Sequence, residues 1–237
     1  MAKRSTQGAA ERYFDFLRTP FVDDEGKKRQ PAATKFIDVL RDVHGAYKPR
    51  YDLTKCLAGT HPGFTGKVWF WSDLHWSHQN IIKYCQRPFA NAKEMNTALL
   101  ENCLARVSKD DIMVFGGDLV MGSDLEGTNW FLRSIPAYKI NVLGNHDIHI
   151  KTDLMLKLAF DEVAACVEFA YQETPILLTH YPVPETILAD GQMNMHGHIH
   201  NSQMHPSLGS GKRHINICVE HTGYASVSLD WLTHGQL

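Results

Sequence analysis

From residue 67 onward, short apolar runs rich in β-branched and aromatic residues alternate with longer amphipathic stretches. The runs are KVWFWSD at 67–73, IMVFGGD at 112–118, YKINVLGN at 138–145, PILLTHY at 175–181, MNMHGHIH at 193–200 and HINICVEH at 214–221. Such runs are typical of strands buried on both faces of a layered sheet. Helices are predicted at about 78–85, 93–107, 124–134 and 151–160. This alternation of strands and helices predicts an α/β fold.

The first 66 residues follow a different pattern. Helices are predicted at about 8–18 and 33–43, and polar stretches such as DDEGKKRQP and AGTHPGFTG lie between and after them. We interpret residues 1–66 as an N-terminal extension or cap, and residues 67–237 as the main domain.

Composition narrows the class of protein. Apolar residues make up 43% of the chain and charged residues 21%, as in an ordinary soluble domain. The net charge of -2 provides no general basic field for nucleic acid or a membrane. No apolar run has the length of a membrane helix, and the N-terminus has no apolar core of a signal peptide. Five scattered cysteines without a CxxC pair indicate reduced thiols and a cytoplasmic location.

Polar clusters directly follow five of the predicted strands. They are Asp73-Leu74-His75, Gly117-Asp118, Gly144-Asn145-His146-Asp147, His180-Tyr181 and Gly197-His198-Ile199-His200. Ligands of open α/β sheets bind beyond the carboxyl ends of the strands, so we expect these clusters to meet at one edge. In an extended chain, residues i and i+2 point to the same side, which predicts that the two side chains of each Asp-x-His or His-x-His pair face a common centre.

The side chains in these clusters offer oxygen and nitrogen ligands and no thiolate. Asp, Asn and His suit divalent ions such as manganese, iron, cobalt or zinc. The absence of thiolates argues against a structural zinc site. The set is large enough to hold two ions and leave room for water.

The ordered motifs DLH, GD, GNHD, H and GHIH resemble those of the calcineurin-like metallophosphoesterases, over residues 67 to 221. The stretch SDLHWSHQNIIKYCQRPF is also similar to a small subgroup of bacterial and phage phosphoesterases. The resemblance implies a four-layer α/β/β/α sandwich. It also implies a first ion held by Asp73, His75 and His200, a second held by Asn145, His180 and His198, a bridge from Asp118 to both, and His146 beside the phosphate.

The function implied is hydrolysis of a phosphate ester by a metal-bridging hydroxide, with His146 assisting the leaving group. Two divalent ions, two carboxylates and a hydroxide leave one positive charge, which slightly favours phosphodiesters over monoesters. Manganese is the preferred metal, with iron, zinc, cobalt and nickel as alternatives. Substrates are expected among small phosphoesters and nucleotides, and short nucleic acids stay open. The alternative functions are a non-catalytic metal-binding scaffold and a protein phosphatase.

Several other residues have two interpretations each. Arg87 and Lys83 belong either to a solvated helix face or to a phosphate-binding site. His78 either supports the site or caps the helix that follows. Trp76 is open to a substrate role, and Asp147 either contacts a ligand histidine or caps a helix. His149, His196 and His221 are interpreted as ordinary hydrogen-bonded histidines.

Overall fold

The computed structural model describes residues 8–19, 21–22, 28–29, 50–57, 65–119, 124–147 and 159–233. In these ranges the strands are β1 (Phe21–Val22), β2 (Lys28–Arg29), β3 (Tyr51–Asp52), β4 (Val68–Trp71), β5 (Ile112–Phe115), β6 (Tyr138–Val142), β7 (Glu162–Ala164), β8 (Cys166–Tyr171), β9 (Thr174–Thr179), β10 (Met193–His196), β11 (His214–Asn216) and β12 (Val227–Ser228). The helices are α1 (Ala9–Arg18), α2 (Thr54–Leu57), α3 (Gln79–Tyr84), α4 (Ala92–Leu104), α5 (Leu125–Ser134) and α6 (Leu229–Thr233), with short 3-10 helices at Glu185–Ile187 and Pro206–Leu208.

Two five-stranded sheets organise these elements. The first has the order β12-β4-β5-β6-β7 and is parallel except for β12. The second has the order β11-β10-β9-β8-β3, and only the β8–β9 pair in it is antiparallel. The predicted α/β class is therefore confirmed, with the strands divided between two sheets.

Alternating side chains place each sheet between two apolar layers. In β5, Ile112 and Val114 pack in the cluster that also contains Ile176 and Leu178 of β9. The intervening Met113 and Phe115 pack with the helices instead. Because successive residues of a strand point to opposite faces, the two sheets pack face to face and helices cover the outside. This is the α/β/β/α arrangement that the sequence resemblance implies.

Helix α1 packs on the second sheet from the outside. Tyr13 and Leu17 are buried in the same cluster as Leu177 of β9, whose neighbours Ile176 and Leu178 face the first sheet. β3 extends the same sheet by pairing in parallel with β8. The division of the chain at residue 66 stays a prediction. The helix expected at 33–43, and most of the one at 151–160, lie outside the described residues.

Local signals explain where the long helices begin. Asn91 accepts a hydrogen bond from the backbone N–H of Glu94 at 2.9 Å and caps α4. Asp124 accepts one from Gly127 at 2.9 Å and caps α5. These caps satisfy backbone donors that lack a partner within the helix. No helix in the described ranges is both long enough and apolar enough to cross a membrane.

The five cysteines all lie within the described ranges and are buried. They are Cys56, Cys85, Cys103, Cys166 and Cys218, and none of them forms a disulfide. The cytoplasmic location expected from their scatter stays a prediction.

Candidate metal centre

The carboxyl ends of five strands in two sheets meet at one edge of the sandwich. From the first sheet, β4 leads into Asp73 and His75, β5 into Asp118, and β6 into Asn145 and His146. From the second sheet, β9 leads into His180, and β10 into His198 and His200. All eight predicted site residues are described, and the contacts below link them into one cluster. The predicted single edge is thus formed jointly by two sheets.

Asp118 lies at the centre of this cluster and is only 2% exposed. Its Oδ2 is 3.3 Å from Nε2 of His180, and 3.9 Å from Nε2 of both His75 and His146. Its Oδ1 accepts the backbone N–H of His146 at 2.7 Å. One carboxylate therefore faces nitrogen atoms from three separate loops, as a bridging ligand must.

His180 presents an imidazole lone pair to this centre. Its Nδ1 is 2.9 Å from the carbonyl oxygen of Gly116, which only accepts, so Nδ1 carries the proton. Nε2 then faces Oδ2 of Asp118 and, at 3.0 Å, Oδ1 of Asn145. Three acceptors converge there, an arrangement that a cation between them stabilises. Burial would lower the pKa of His180, but the negative charge of Asp118 raises it to about 9. A proton on Nε2 places a positive charge beside Asp118, as a metal ion would.

His75 lacks a hydrogen-bond partner at either ring nitrogen although it is 1% exposed. Buried polar atoms are rarely left unpaired, and each one costs about 1–3 kcal/mol. Burial lowers the pKa of His75 well below its ordinary value, and burial also lowers the pKa of His198 to about 3. Both rings are therefore neutral and keep a lone pair, which is the form that binds metal.

Asp73 joins the second sheet to the first. Both of its carboxylate oxygens accept the backbone N–H of His198, at 2.9 and 3.1 Å, and Oδ1 lies 3.6 Å from Nε2 of His200. Cys218 donates its thiol to Oδ2 at 3.3 Å. The ring of His200 is 5.1 Å from that of His75, centre to centre.

These donor atoms fit divalent ions. Ligand atoms within 4.8 Å of one another occur in four described groups: Asp118–His180–His198, His75–Asp118–His146, Asp73–His200–Cys218 and Cys85–His200–Glu220. The first group contains the bridge and two ligands predicted for the second ion. The residues predicted for the first ion are divided between the second and third groups. The oxygen and nitrogen donors among them suit manganese, iron, cobalt, nickel and zinc. The third and fourth groups also contain a thiol, of Cys218 and of Cys85, which the sequence motifs did not predict.

The backbone of the ligand loops differs from the expectation of an extended chain. Asp73, His75, Asp118, His198 and His200 have φ angles of 58°, 51°, 50°, 71° and 49°, in the left-handed region. β4 ends at Trp71 and β10 at His196, so the paired ligands lie in turns beyond the strands. The extended-chain expectation was wrong, and the two members of each pair belong to different groups of donor atoms in the same cluster. Asp and His are among the residues that adopt this region most readily.

Two glycines allow the loops to approach closely. A side chain at Gly144 would overlap the carboxylate and backbone N of Asp118, and one at Gly197 would overlap the carboxylate of Asp73 and the hydroxyl of Ser72. Neither position leaves space for a Cβ atom. Glycine is required there by contact between loops.

Asp147 joins two loops of the site through its carboxylate. Its carboxylate accepts the backbone N–H groups of Asp118, Leu119 and Gly144 at 3.0, 3.1 and 2.9 Å. Burial and the nearby charge of Asp118 raise the pKa of Asp147 to about 7. The described partners of Asp147 are thus backbone donors of its own loop and of the loop after β5, and the helix that it was interpreted to cap lies outside the described residues.

Glu220 is a site residue that sequence reasoning missed. Its Oε1 is 3.1 Å from Nδ1 of His200 and accepts hydrogen bonds from Arg87. The signal was present in the chain, since Glu220 is the next-to-last residue of the predicted run HINICVEH, beyond the end of β11 at Asn216. A single glutamate outside any recognised motif does not by itself predict a role at a site.

Other interpretations are now decided by burial and contacts. The side chain of Arg87 is fully buried and binds backbone carbonyls, so it belongs to neither a solvated face nor a phosphate site. Lys83 is exposed. His78 is the N-cap residue of α3 but makes no side-chain cap hydrogen bond, and its ring lies 5.5 Å from that of His75. Its support of the site stays a prediction. Trp76 is buried and stacks on Phe131 at 4.2 Å, as a core residue does.

The remaining histidines are also placed. His196 and His221 hydrogen-bond to the backbone carbonyls of Gly197 and His200, as expected of ordinary histidines. His149 lies outside the described residues.

Comparison with known proteins adds an independent observation. A sequence profile for calcineurin-like phosphoesterases matches residues 66–173. An uncharacterized protein of Methanocaldococcus jannaschii is 33% identical over 168 residues, which cover 69% of this chain and 88% of that protein. The crystal structure of a protein of unknown function from Aquifex aeolicus is similar, with a TM-score of 0.56 and 26% identity, covering 71% of this chain and 98% of that chain.

Proposed function

We propose, since the chain belongs to the calcineurin-like phosphoesterase family, that it hydrolyses small phosphate esters at a pair of divalent metal ions. The observation that carries the proposal is the convergence of His75, His146 and His180 on the single buried carboxylate of Asp118. A carboxylate shared in this way is suited to joining two cations. The family uses dinuclear centres, and the donor atoms of the chain fit them.

The proposed ligand sets follow the sequence motifs. The first ion has Asp73, His75 and His200, the second has Asn145, His180 and His198, and Asp118 belongs to both. When bound, the two ions would neutralise charge on the phosphoryl group and supply hydroxide at neutral pH. Manganese is the proposed metal, with iron, zinc, cobalt and nickel as alternatives.

His146 has a different proposed role from the other histidines. Its side chain is 30% exposed, whereas those of His75 and His180 are buried, so it can reach a bound substrate. The hydrogen bond from its backbone N–H to Asp118 fixes the loop that carries it. We assign it to holding a proton beside the leaving oxygen of the ester.

Charge favours a phosphodiester over a monoester. The proposed ligand set contains two carboxylates, Asp73 and Asp118, and the amide of Asn145 is neutral. Two ions and a hydroxide then leave about one positive charge, which matches a singly charged ester. Nucleotides, cyclic nucleotides and short nucleic acids are the proposed substrate classes.

The protein-phosphatase alternative is less supported. Arg87, for which the sequence left a phosphate-binding role open, is buried and donates hydrogen bonds to backbone carbonyls. It is not available to a phosphorylated protein.

The test is a metal reconstitution with two chromogenic esters. The full chain is stripped with a chelator, loaded with each candidate metal, and assayed with bis-p-nitrophenyl phosphate, p-nitrophenyl phosphate and a panel of linear and cyclic nucleotides. We expect two ions per chain and faster hydrolysis of the diester. An Asp118→Asn preparation measures any contaminating phosphatase. Two bound ions with no hydrolysis would favour the scaffold function, and no bound ions would overturn the proposal.

A further inference from the structure

Arg87 makes all its polar contacts inside the protein, on the side of the site that carries Asp73. Its Nη2 donates to the carbonyl oxygen of Asp73 at 2.7 Å, and Nη1 donates to that of Leu74 at 2.8 Å. Nε and Nη2 both donate to Oε1 of Glu220, at 2.9 and 2.8 Å. The fork of the guanidinium thus joins one loop backbone to one carboxylate.

The loop backbone that Arg87 binds is conformationally costly. Asp73 and His75 have left-handed φ angles, which cost an L-residue about 1–2 kcal/mol each relative to its preferred regions. The carbonyls of Asp73 and Leu74 lie beyond the end of β4 and receive hydrogen bonds from Arg87. Arg87 therefore stabilises the turn that carries two of the proposed ligands of the first ion.

Glu220 acts on the third proposed ligand of that ion. Its Oε1 lies 3.1 Å from Nδ1 of His200. Because a carboxylate only accepts, Nδ1 keeps a proton, and Nε2, 3.6 Å from Oδ1 of Asp73, is the nitrogen left to bind a cation. Glu220 thus sets both the tautomer and the orientation of His200.

The ligands proposed for the second ion are held by other groups. His180 donates to the carbonyl of Gly116, and the loops of Asp118 and Asn145 are joined through Asp147. Neither Arg87 nor Glu220 has a contact with these residues among those described above. Arg87 and Glu220 therefore contact only the first proposed site directly, and their link to the second runs through the carboxylate of Asp73, which accepts the backbone N–H of His198.

We propose that Arg87 and Glu220 form a buried brace that positions the ligands of the first metal ion and leaves the second site largely unaffected. This inference rests on the proposed function. Arg87 and Glu220 are positioning residues, since they act through Asp73, His75 and His200. The opposite charges of Arg87 and Glu220 cancel. Loss of the Glu220 charge would therefore leave the positive charge of Arg87 buried beside a cation site.

The experiment measures metal affinity in Glu220→Gln, which keeps the shape of the side chain and removes its charge. Calorimetric titration of the metal-free chain with Mn²⁺ should show two sites in the unaltered protein. In the variant we expect one site to weaken by about 10- to 100-fold, as for other changes to groups behind a metal ligand, and the other to change little. Electron paramagnetic resonance at one equivalent of Mn²⁺ should show more isolated ions and fewer coupled pairs.

A matched control separates this role from a general loss of stability. Arg50, directly before β3, and Glu168 on β8 form a more exposed ion pair at 2.7 Å, and neither is a proposed ligand. Glu168→Gln should leave both Mn²⁺ affinities unchanged, whatever it does to the melting temperature. Arg87→Lys keeps the charge without the fork and should weaken the same single site, which supplies the test if Glu220→Gln does not fold.

The outcomes distinguish the two proposals. If the unaltered chain does not bind two ions, the proposed function fails and the brace with it. If it binds two ions and Glu220→Gln binds both with unchanged affinity, the brace is wrong and the function stands. Equal weakening of both sites would also overturn the brace, because its effect is assigned to one site.

Discussion

The carboxylate of Asp147 accepts the backbone N–H of Asp118 at 3.0 Å, and so ties the loop after β5 to the loop after β6. The same carboxylate accepts the N–H of Gly144, and Oδ1 of Asp118 accepts the N–H of His146. Asp118 is therefore held through its backbone on one side and its side chain on the other. The packing of two loops therefore fixes the position of Asp118, and its negative charge would attract the metal ions.

The first prediction concerns the charge of Asp118. Asp118→Asn keeps the shape of the side chain but removes the negative charge between His75 and His180, so fewer than two ions should remain bound. We expect the specificity constant to fall by more than the roughly 10²-fold typical of changes behind a ligand. Metal analysis after gel filtration and the diester assay measure both effects.

The control for that prediction is Asp110→Asn, at the opposite end of β5, where the side chain is exposed. It should bind two ions and retain activity. An Asp118→Asn protein with two ions and normal turnover would refute the bridging role.

The second prediction separates catalysis from metal binding at His146. His146→Gln should keep both ions and lose about 10²- to 10⁴-fold in rate, the usual contribution of general acid catalysis. The loss should be larger for an ester with an alcohol leaving group than for a p-nitrophenyl ester, because p-nitrophenolate leaves without a proton. His146 also lies within ligand distance of His75 and Asp118. Loss of an ion in the variant would therefore identify His146 as a ligand.

The third prediction uses the close contact of Gly144 with Asp118. In Gly144→Ala the added methyl group would overlap the carboxylate, so one of the two loops must move. We expect a loss of about 1–3 kcal/mol in unfolding free energy, together with weaker metal binding. Gly8→Ala is the matched control, since a Cβ there meets no atom within 4 Å. Urea unfolding and Mn²⁺ titration of both variants check the prediction, and an unchanged Mn²⁺ affinity in Gly144→Ala would contradict it.

The fourth prediction is a pH dependence far from the metal centre. Asp111, which is 5% exposed, accepts hydrogen bonds from the backbone of Lys67 at 2.7 Å and Ser108 at 2.8 Å, and from the indole of Trp69 at 3.0 Å. Burial alone would raise the pKa of Asp111, but these donors lower it below its ordinary value. Its stabilising effect is therefore present above the unfolded pKa, near 4, and is lost as the pH falls through the lower folded pKa.

Asp111→Asn should accordingly lower the unfolding free energy by about 1.5–3 kcal/mol at pH 7, as expected for hydrogen bonds to a charged group. The difference from the unaltered chain should shrink below about pH 4. Urea unfolding followed by tryptophan fluorescence at several pH values measures it. A difference that does not vary with pH would show that the carboxylate charge is unimportant, and the bound metal count should not change.

Apolar runs revealed the inner strands because a strand buried on both faces has few polar positions. All six predicted runs overlap an observed strand, and the five strands that lead into polar clusters end before them. β8 was missed since CVEFAY mixes polar and apolar residues, and the two-residue strands β3 and β12 are too short for any pattern.

The eight residues proposed for the site could be selected from the sequence because their types and order are local properties of the chain. The partners behind them were not. Asp147 and Glu220 find their donors through the pairing of distant strands, and no residue near Arg87 indicated that its charge would be buried. The left-handed turns were also unexpected, since Asp and His permit that conformation without requiring it.

The left-handed turns place the thermal stability of the protein and its proposed hydrolytic activity in opposition. At Asp73, His75, Asp118, His198 and His200 the backbone adopts a shape that suits glycine better than the residue present. Directed evolution that rewards survival on heating, without assaying turnover, would relax selection on these five positions. Glycine substitutions would then be accepted there first, and the selected proteins would be thermally stable but catalytically inactive.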